Sequence, residues 1–196
     1  LFWRSLFFIG AITIFLIFTY KGRIFSALYE SGIPGFIGGI ILSIGFASYV
    51  FAMYETTVAN ANFIIQTQTL FLAIFGYIFL KEKISKLTLT CIITAVVGII
   101  LMLGSSLTTG QMTGNLVAFI MPISFAILIL IVRKYPKVDM IPLQLVAGIF
   151  ATLIGLFMSP TIVVSANDIF LGFVAGFFQV GLGFILITIG ARSTPS

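Results

Sequence analysis

Three uncharged polar residues, Asn62, Gln66 and Thr69, fall at i, i+4 and i+7 within the run TTVANANFIIQTQTLFLAIFGYIFLKEKISK, residues 56–86. That spacing puts them on one face of a helix. Amide and hydroxyl groups donate and accept hydrogen bonds without the cost of burying a charge. The chemistry they offer is recognition of a polar solute rather than making or breaking bonds. The competing role is interhelical glue, worth about 0.6 to 2 kcal/mol per residue. Small residues, Ala59, Ala73 and Gly76, accompany the polar face. A stripe of that kind faces other helices or a cavity, not lipid. Gln179 is the one strongly polar residue central to the last apolar run, and it joins the candidate set with interhelical bonding as its alternative. Gln68 points elsewhere on the helix. The expected substrate contacts are therefore Asn62, Gln66, Thr69 and Gln179.

Other chemistries lack their parts. The five carboxylates, Glu30, Glu55, Glu82, Asp139 and Asp168, lie near the ends of apolar runs, so no acid marks the membrane centre for a proton relay or sodium site. There is no histidine and one cysteine, Cys91, which leaves no disulfide framework and no zinc site. Cys91 is expected to be a small packing residue. No phosphate-binding glycine loop and no nucleophile with a histidine base are present. Neither an enzyme nor a cofactor is expected. Glu82, among Lys81, Lys83 and Lys86, is expected to pair at the membrane surface. Ser43 and Ser48 are expected to bond their own helix backbone.

The elements that position these residues are apolar and long. The chain has 196 residues, 60% hydrophobic and 8% charged. A soluble domain needs far more polar surface, so the expected fold is all-α and polytopic in a membrane. Seven spans are predicted, at 2–20, 34–54, 58–80, 87–104, 116–132, 141–158 and 169–190. Trp3, Arg4 and Tyr54 are interface residues. Pro122 interrupts the fifth span and frees a carbonyl there. Residues 105–115 read as a polar loop. Nine of the ten basic residues follow spans one, three, five and seven, and Arg4 alone lies on the other side. That split makes the basic side cytoplasmic. The net charge of +5 is thus an orientation signal, and no nucleic acid is expected.

An internal repeat is visible when residues 34–59 are placed beside 171–196. Gly35 meets Gly172, Phe36 meets Phe173, Gly39 meets Gly176, and Thr57 meets Thr194. Spans two and seven are five apart, so they cross in opposite directions. At one matched position Glu55 faces outside and Arg192 inside, the exchange an inverted repeat requires. A duplicated five-helix unit gives ten helices, with one expected before Leu1 and two after Ser196.

The order of these features resembles the drug/metabolite transporter superfamily, and within it the EamA-like transporters. The carrying residues are Tyr54-Glu55-Thr56-Thr57-Val58-Ala59-Asn60-Ala61 and Leu70-Phe71 through Phe79-Leu80-Lys81-Glu82-Lys83-Ile84-Ser85. With them go Gly98-Ile99-Ile100-Leu101-Met102-Leu103-Gly104, Gln179-Val180-Gly181-Leu182-Gly183-Phe184 and Trp3-Arg4. The resemblance implies helices two to eight of ten. Residues 1–106 would be a first EamA-like repeat lacking its first helix, and 107–196 a second lacking its last two. Many relatives carry proline where Thr69 stands, so the kink of that helix is open here. The resemblance implies a secondary carrier moving a small organic metabolite, such as an amino acid, across the cytoplasmic (inner) membrane by alternating access. Its partners would be that metabolite and the lipid bilayer, with a homodimer left open. The alternatives are a seven-helix receptor or a membrane scaffold with no solute path.

Overall fold

The structure, a computed structural model, describes residues 1–109, 111–136, 138–159 and 161–186. Among them the regular elements are helical: α1 (Phe2–Tyr20), α2 (Ile24–Glu55), α3 (Val58–Gln66), α4 (Gln68–Leu80), α5 (Lys86–Thr109), α6 (Met112–Ala118), α7 (Ile120–Lys134), α8 (Leu143–Met158) and α9 (Ala166–Phe173), followed by a π-helical segment, Val174–Leu182. Among the described residues six helices are long and apolar enough to cross a membrane: Phe2–Tyr20, Ile24–Glu55, Val58–Leu80, Lys86–Gly104, Met112–Lys134 and Ala166–Leu186. A seventh apolar helix, α8, has 16 residues. Arg192 and the repeat partner Thr194 lie outside the described residues, as does the end of the last span.

Several boundaries differ from expectation. The second span starts at Ile24, ten residues before the predicted start at Pro34. Its axis breaks at Gly32, whose φ of 56° and ψ of −158° are accessible essentially to glycine alone. Pro34 disfavours helical geometry in the residue before it, which sets the break just upstream. The expected loop at 105–115 is shorter, since α5 continues to Thr109 and α6 begins at Met112. The fifth span breaks at Phe119. Pro122 has no N–H for the Ala118 carbonyl, and the Phe119 N–H turns to Leu116, 3.3 Å away, in a tighter turn. The third span, whose kink the sequence left open, breaks at Thr67, two residues before Thr69. There the backbone N–H and Oγ1 both donate to the Ile64 carbonyl, at 3.0 and 2.5 Å.

The described residues form two compact units, Leu1–Ser43 with Pro136–Ser196, and Ile44–Tyr135. In the first, α1 packs against α8 and against the π segment. Phe8, Ala11, Ile12 and Leu16 form its buried stripe, and Ala147 and Ala151 of α8 are buried as well. Small residues let the backbones close in. A Cβ at Gly148 would lie 2.7 Å from Ile9 Cγ1, and one at Gly155 would lie 2.7 Å from the Phe2 nitrogen. On the last span Gly172, Gly176 and Gly181 all meet α1. Their spacing of four and then five follows from the π segment, whose i→i+5 bonds widen the turn after Gly176.

One contact pattern occurs twice in this unit. A Cβ at Gly39 of α2 would stand 2.9 Å from the Leu143 carbonyl oxygen and 2.7 Å from Val146 Cβ. A Cβ at Gly176 would collide with the Arg4 carbonyl and stand 3.0 Å from Phe7 Cβ. Each time a glycine meets one residue's carbonyl and the Cβ three residues on.

The second unit has an apolar centre at Ala52, Ile64 and Ala118, with Phe119 and Met102 against it. Helices α4 and α7 pack along their length. Gly45 of α2 permits close approach to Ser124, whose Cβ would be 3.1 Å from an added Cβ. Helix α5 starts on a Ser85 cap, with the Thr88 N–H donating to Ser85 Oγ at 3.0 Å. Several of its apolar side chains, among them Ile93 and Ile100, are exposed. Cys91 is exposed as well, so it is a surface residue and not the packing residue expected.

Candidate functional site

The polar stripe of the third span rides on the broken helix pair α3/α4. Thr57 caps α3, accepting from the Asn60 N–H at 3.1 Å. Ala61, Ile64 and Leu70 take the buried side, and Asn62, Gln66 and Thr69 take the exposed side. Their hydrogen bonds are local. Asn62 Nδ2 donates to the Val58 carbonyl at 2.9 Å, and Thr69 Oγ1 donates to the Gln66 carbonyl at 3.3 Å. The three are thus on one face, and two of them bond back to their own backbone. The break at Thr67 lies inside the stripe. Shifting from i−4 to i−3 bonding there takes the Thr67 N–H away from the Phe63 carbonyl. Discontinuous membrane helices supply backbone groups of this kind to solutes and ions.

Gln179 belongs to the other unit. It is exposed and lies within the π segment, which the apolar pattern alone did not indicate. Single π turns are rare and often stand at functional sites.

A second polar cluster escaped the sequence reading. Thr56 Oγ1 donates to Asn115 Oδ1 at 2.6 Å, and both side chains are buried. Asn60 Nδ2 donates to Thr56 Oγ1 at 3.4 Å and to Gln111 Oε1 at 3.5 Å. Gly114 allows this closure, because a Cβ there would come within 2.5 Å of the Glu55 carbonyl carbon. The cluster ties the end of α2 and the start of α3 to α6. Its members are 59 residues apart in the chain at Thr56 and Asn115, so only the fold connects them.

At the far end of the same unit Arg133 Nη1 reaches Glu82 Oε1 at 2.9 Å and Oε2 at 3.2 Å. Glu82 therefore pairs as expected, but with the arginine of α7 and not a neighbouring lysine. Ser43 and Ser48 donate to the Ile40 and Gly45 carbonyls, as their local role requires. Trp3 Nε1 donates to the Ile162 carbonyl at 3.0 Å, so the tryptophan is fixed to the segment after α8. Among the described residues no group of His, Cys, Asp and Glu could hold a metal ion.

Among the described residues, six helices long and apolar enough to cross a membrane define a multi-pass integral membrane protein. The EamA-like transporter family matches residues 1–104, more than half of the chain. The chain belongs to that family, and so to the drug/metabolite transporter superfamily. No curated protein and no solved structure matches it.

Proposed function

We propose that this membrane transporter moves a small uncharged or zwitterionic metabolite, such as an amino acid, by alternating access. The observation that carries the reading is the exposed stripe of Asn62, Gln66 and Thr69 across the helix break at Thr67. Three polar side chains inside a span are costly against lipid, and a water-filled passage removes that cost. Neutral donors and acceptors suit a solute with no net charge. Gln179, on the π segment of the last span, is the proposed contact from the second repeat.

The proposed architecture is ten helices in two inverted repeats, at 1–106 and 107–196 within this chain. Two findings support it. The family match ends at residue 104, beside the repeat boundary. The Gly39 contact on α8 and the Gly176 contact on α1 follow one pattern, and these two glycines are partners in the sequence repeat. Arg4 and Leu143, Phe7 and Val146, and Ile9 and Gly148 share one sequence offset. A two-fold axis exchanging α1 and α8 would carry the Ile9–Gly148 contact onto itself, as an inverted repeat demands. The cytoplasmic (inner) membrane, with the basic loops inside, is the proposed location.

The test is solute exchange in proteoliposomes with a panel of labelled amino acids and other small metabolites. The carrier reading predicts counterflow of at least one solute, weakened by Gln66→Ala and Gln179→Ala at unchanged protein content. Unaltered kinetics in both variants would remove the proposed site, and absence of any exchange would favour a scaffold.

A further inference from the structure

We infer that α3/α4 and α6/α7 move as one body during transport, so that the solute path opens on the far side of α3/α4 and not along the seam between them. The inference rests on the carrier reading above and adds which surfaces part in it. Both spans lie in the compact unit Ile44–Tyr135. They run in parallel and in register. At one end Asn60 Nδ2 donates to Gln111 Oε1 at 3.5 Å, and at the other Arg133 Nη1 donates to Glu82 Oε1 at 2.9 Å. Each pair is 51 residues apart in the chain. An equal offset at both ends requires segments of equal length pointing the same way. Between the ends Ile64 and Ala118 share one buried core, and α4 and α7 pack along their length. The Phe71 and Phe119 rings meet edge to face, with centroids 6.3 Å apart.

The breaks obey the same register. An offset of 51 from Thr67 leads to Ala118, the residue before the break at Phe119. Each break is one i−3 turn, from the Thr67 N–H to the Ile64 carbonyl and from the Phe119 N–H to the Leu116 carbonyl. Short stretches of that kind mark hinges within helices. A hinge in one span alone would part the two as it bends. Hinges at one depth let both bend together and keep the seam packed.

Side-chain chemistry separates the two faces of α3/α4. The seam is apolar where Ile64, Ala118, Phe71 and Phe119 meet, and parting it would wet those groups. It would also break the buried bond from Thr56 Oγ1 to Asn115 Oδ1. Asn62, Gln66 and Thr69 stand on the exposed side of the same span, so a polar solute finds its partners there. In the proposed architecture Thr56, Asn60 and Glu82 belong to the first repeat, and Gln111, Asn115 and Arg133 to the second. The seam therefore ties the repeats together at both membrane faces, and their relative motion takes place elsewhere.

The experiment joins the seam covalently in a Cys91→Ser background. Asn60→Cys with Gln111→Cys, and separately Glu82→Cys with Arg133→Cys, are linked by a short bifunctional thiol reagent in proteoliposomes and assayed with the labelled-metabolite panel. The expected result is exchange in each linked protein at the rate of the same variant before linking. Loss of exchange on linking either pair would overturn the inference, because an end that must open is a gate. A second measurement needs no transported solute. Spin labels at Ala59→Cys with Thr113→Cys, and at Lys83→Cys with Lys134→Cys, sit on exposed positions and leave the ties in place. Double electron–electron resonance in liposomes should give one narrow distance at each end, and two populations at either end would overturn the pairing. If the parent protein exchanges no solute, the carrier reading fails, and these distances still decide whether the two spans move together.

Discussion

Gly176 of the last span lies so close to the Arg4 carbonyl of α1 that any Cβ at that position would collide with the oxygen. The contact fixes α1 against the π segment that bears Gln179. It is also half of the repeated glycine pattern from which the two-fold relation is argued. Gly176→Ala should therefore destabilise the purified protein by about 1–3 kcal/mol through overpacking. Gly183→Ala is the control, because nothing lies within 4 Å of a Cβ there. Thermal unfolding of both variants tests the contact, and equal midpoints would refute it.

The Gly39 contact on α8 predicts a matching result. Gly39→Ala meets the Leu143 carbonyl and Val146 Cβ, both under 3 Å. It should lower stability as Gly176→Ala does, by about 1–3 kcal/mol. If Gly39→Ala were neutral while Gly176→Ala were severe, the two sites would not be structural equivalents.

The buried pair Thr56–Asn115 closes the end of α2 on α6. Thr56→Val keeps the shape and removes the hydroxyl donor to Asn115 Oδ1. The expected cost is about 0.5–1.5 kcal/mol, the net worth of one hydrogen bond. Thr57→Ala removes the cap on α3 and should cost about 0.5–2 kcal/mol. Chemical unfolding of each variant measures both.

The Glu82–Arg133 pair is 50% and 43% exposed, so water screens it. A double-mutant cycle with Glu82→Gln and Arg133→Gln should return a coupling of about 0.2–1 kcal/mol, falling as salt is raised. A larger, salt-independent coupling would mean that the pair is effectively buried in the bilayer-embedded protein.

Much of this architecture was legible in the residues. Runs free of charge marked the spans, and the small residues of the second span meet a backbone carbonyl at Gly39 and side chains at Gly45. Periodicity also placed Asn62, Gln66 and Thr69 on one face. The breaks were harder to see. Thr67 bends the third span through a side-chain bond to its own backbone, and threonine at this position has no unique local signature. Pro122 pointed to an interruption, but the turn falls at Phe119, three residues earlier, where the missing N–H is felt. The start of α2 was missed because Arg23, Glu30 and Gly32 read as a polar connection, although their spacing is amphipathic. Asn115 lay in an apparent loop, and its partner is distant in the chain. The π segment was hidden because an apolar run reads alike at either helical pitch.

Water access to the third span tests the central claim most directly. In a Cys91→Ser background, Asn62→Cys, Gln66→Cys and Thr69→Cys are labelled in membranes with a hydrophilic, impermeant thiol reagent, beside Ile93→Cys and Ile100→Cys on α5. The account predicts that the three stripe positions react many times faster than the α5 positions, because thiolate chemistry requires water. Labelling no faster than on α5 would place the stripe against lipid or protein and contradict a solute path there.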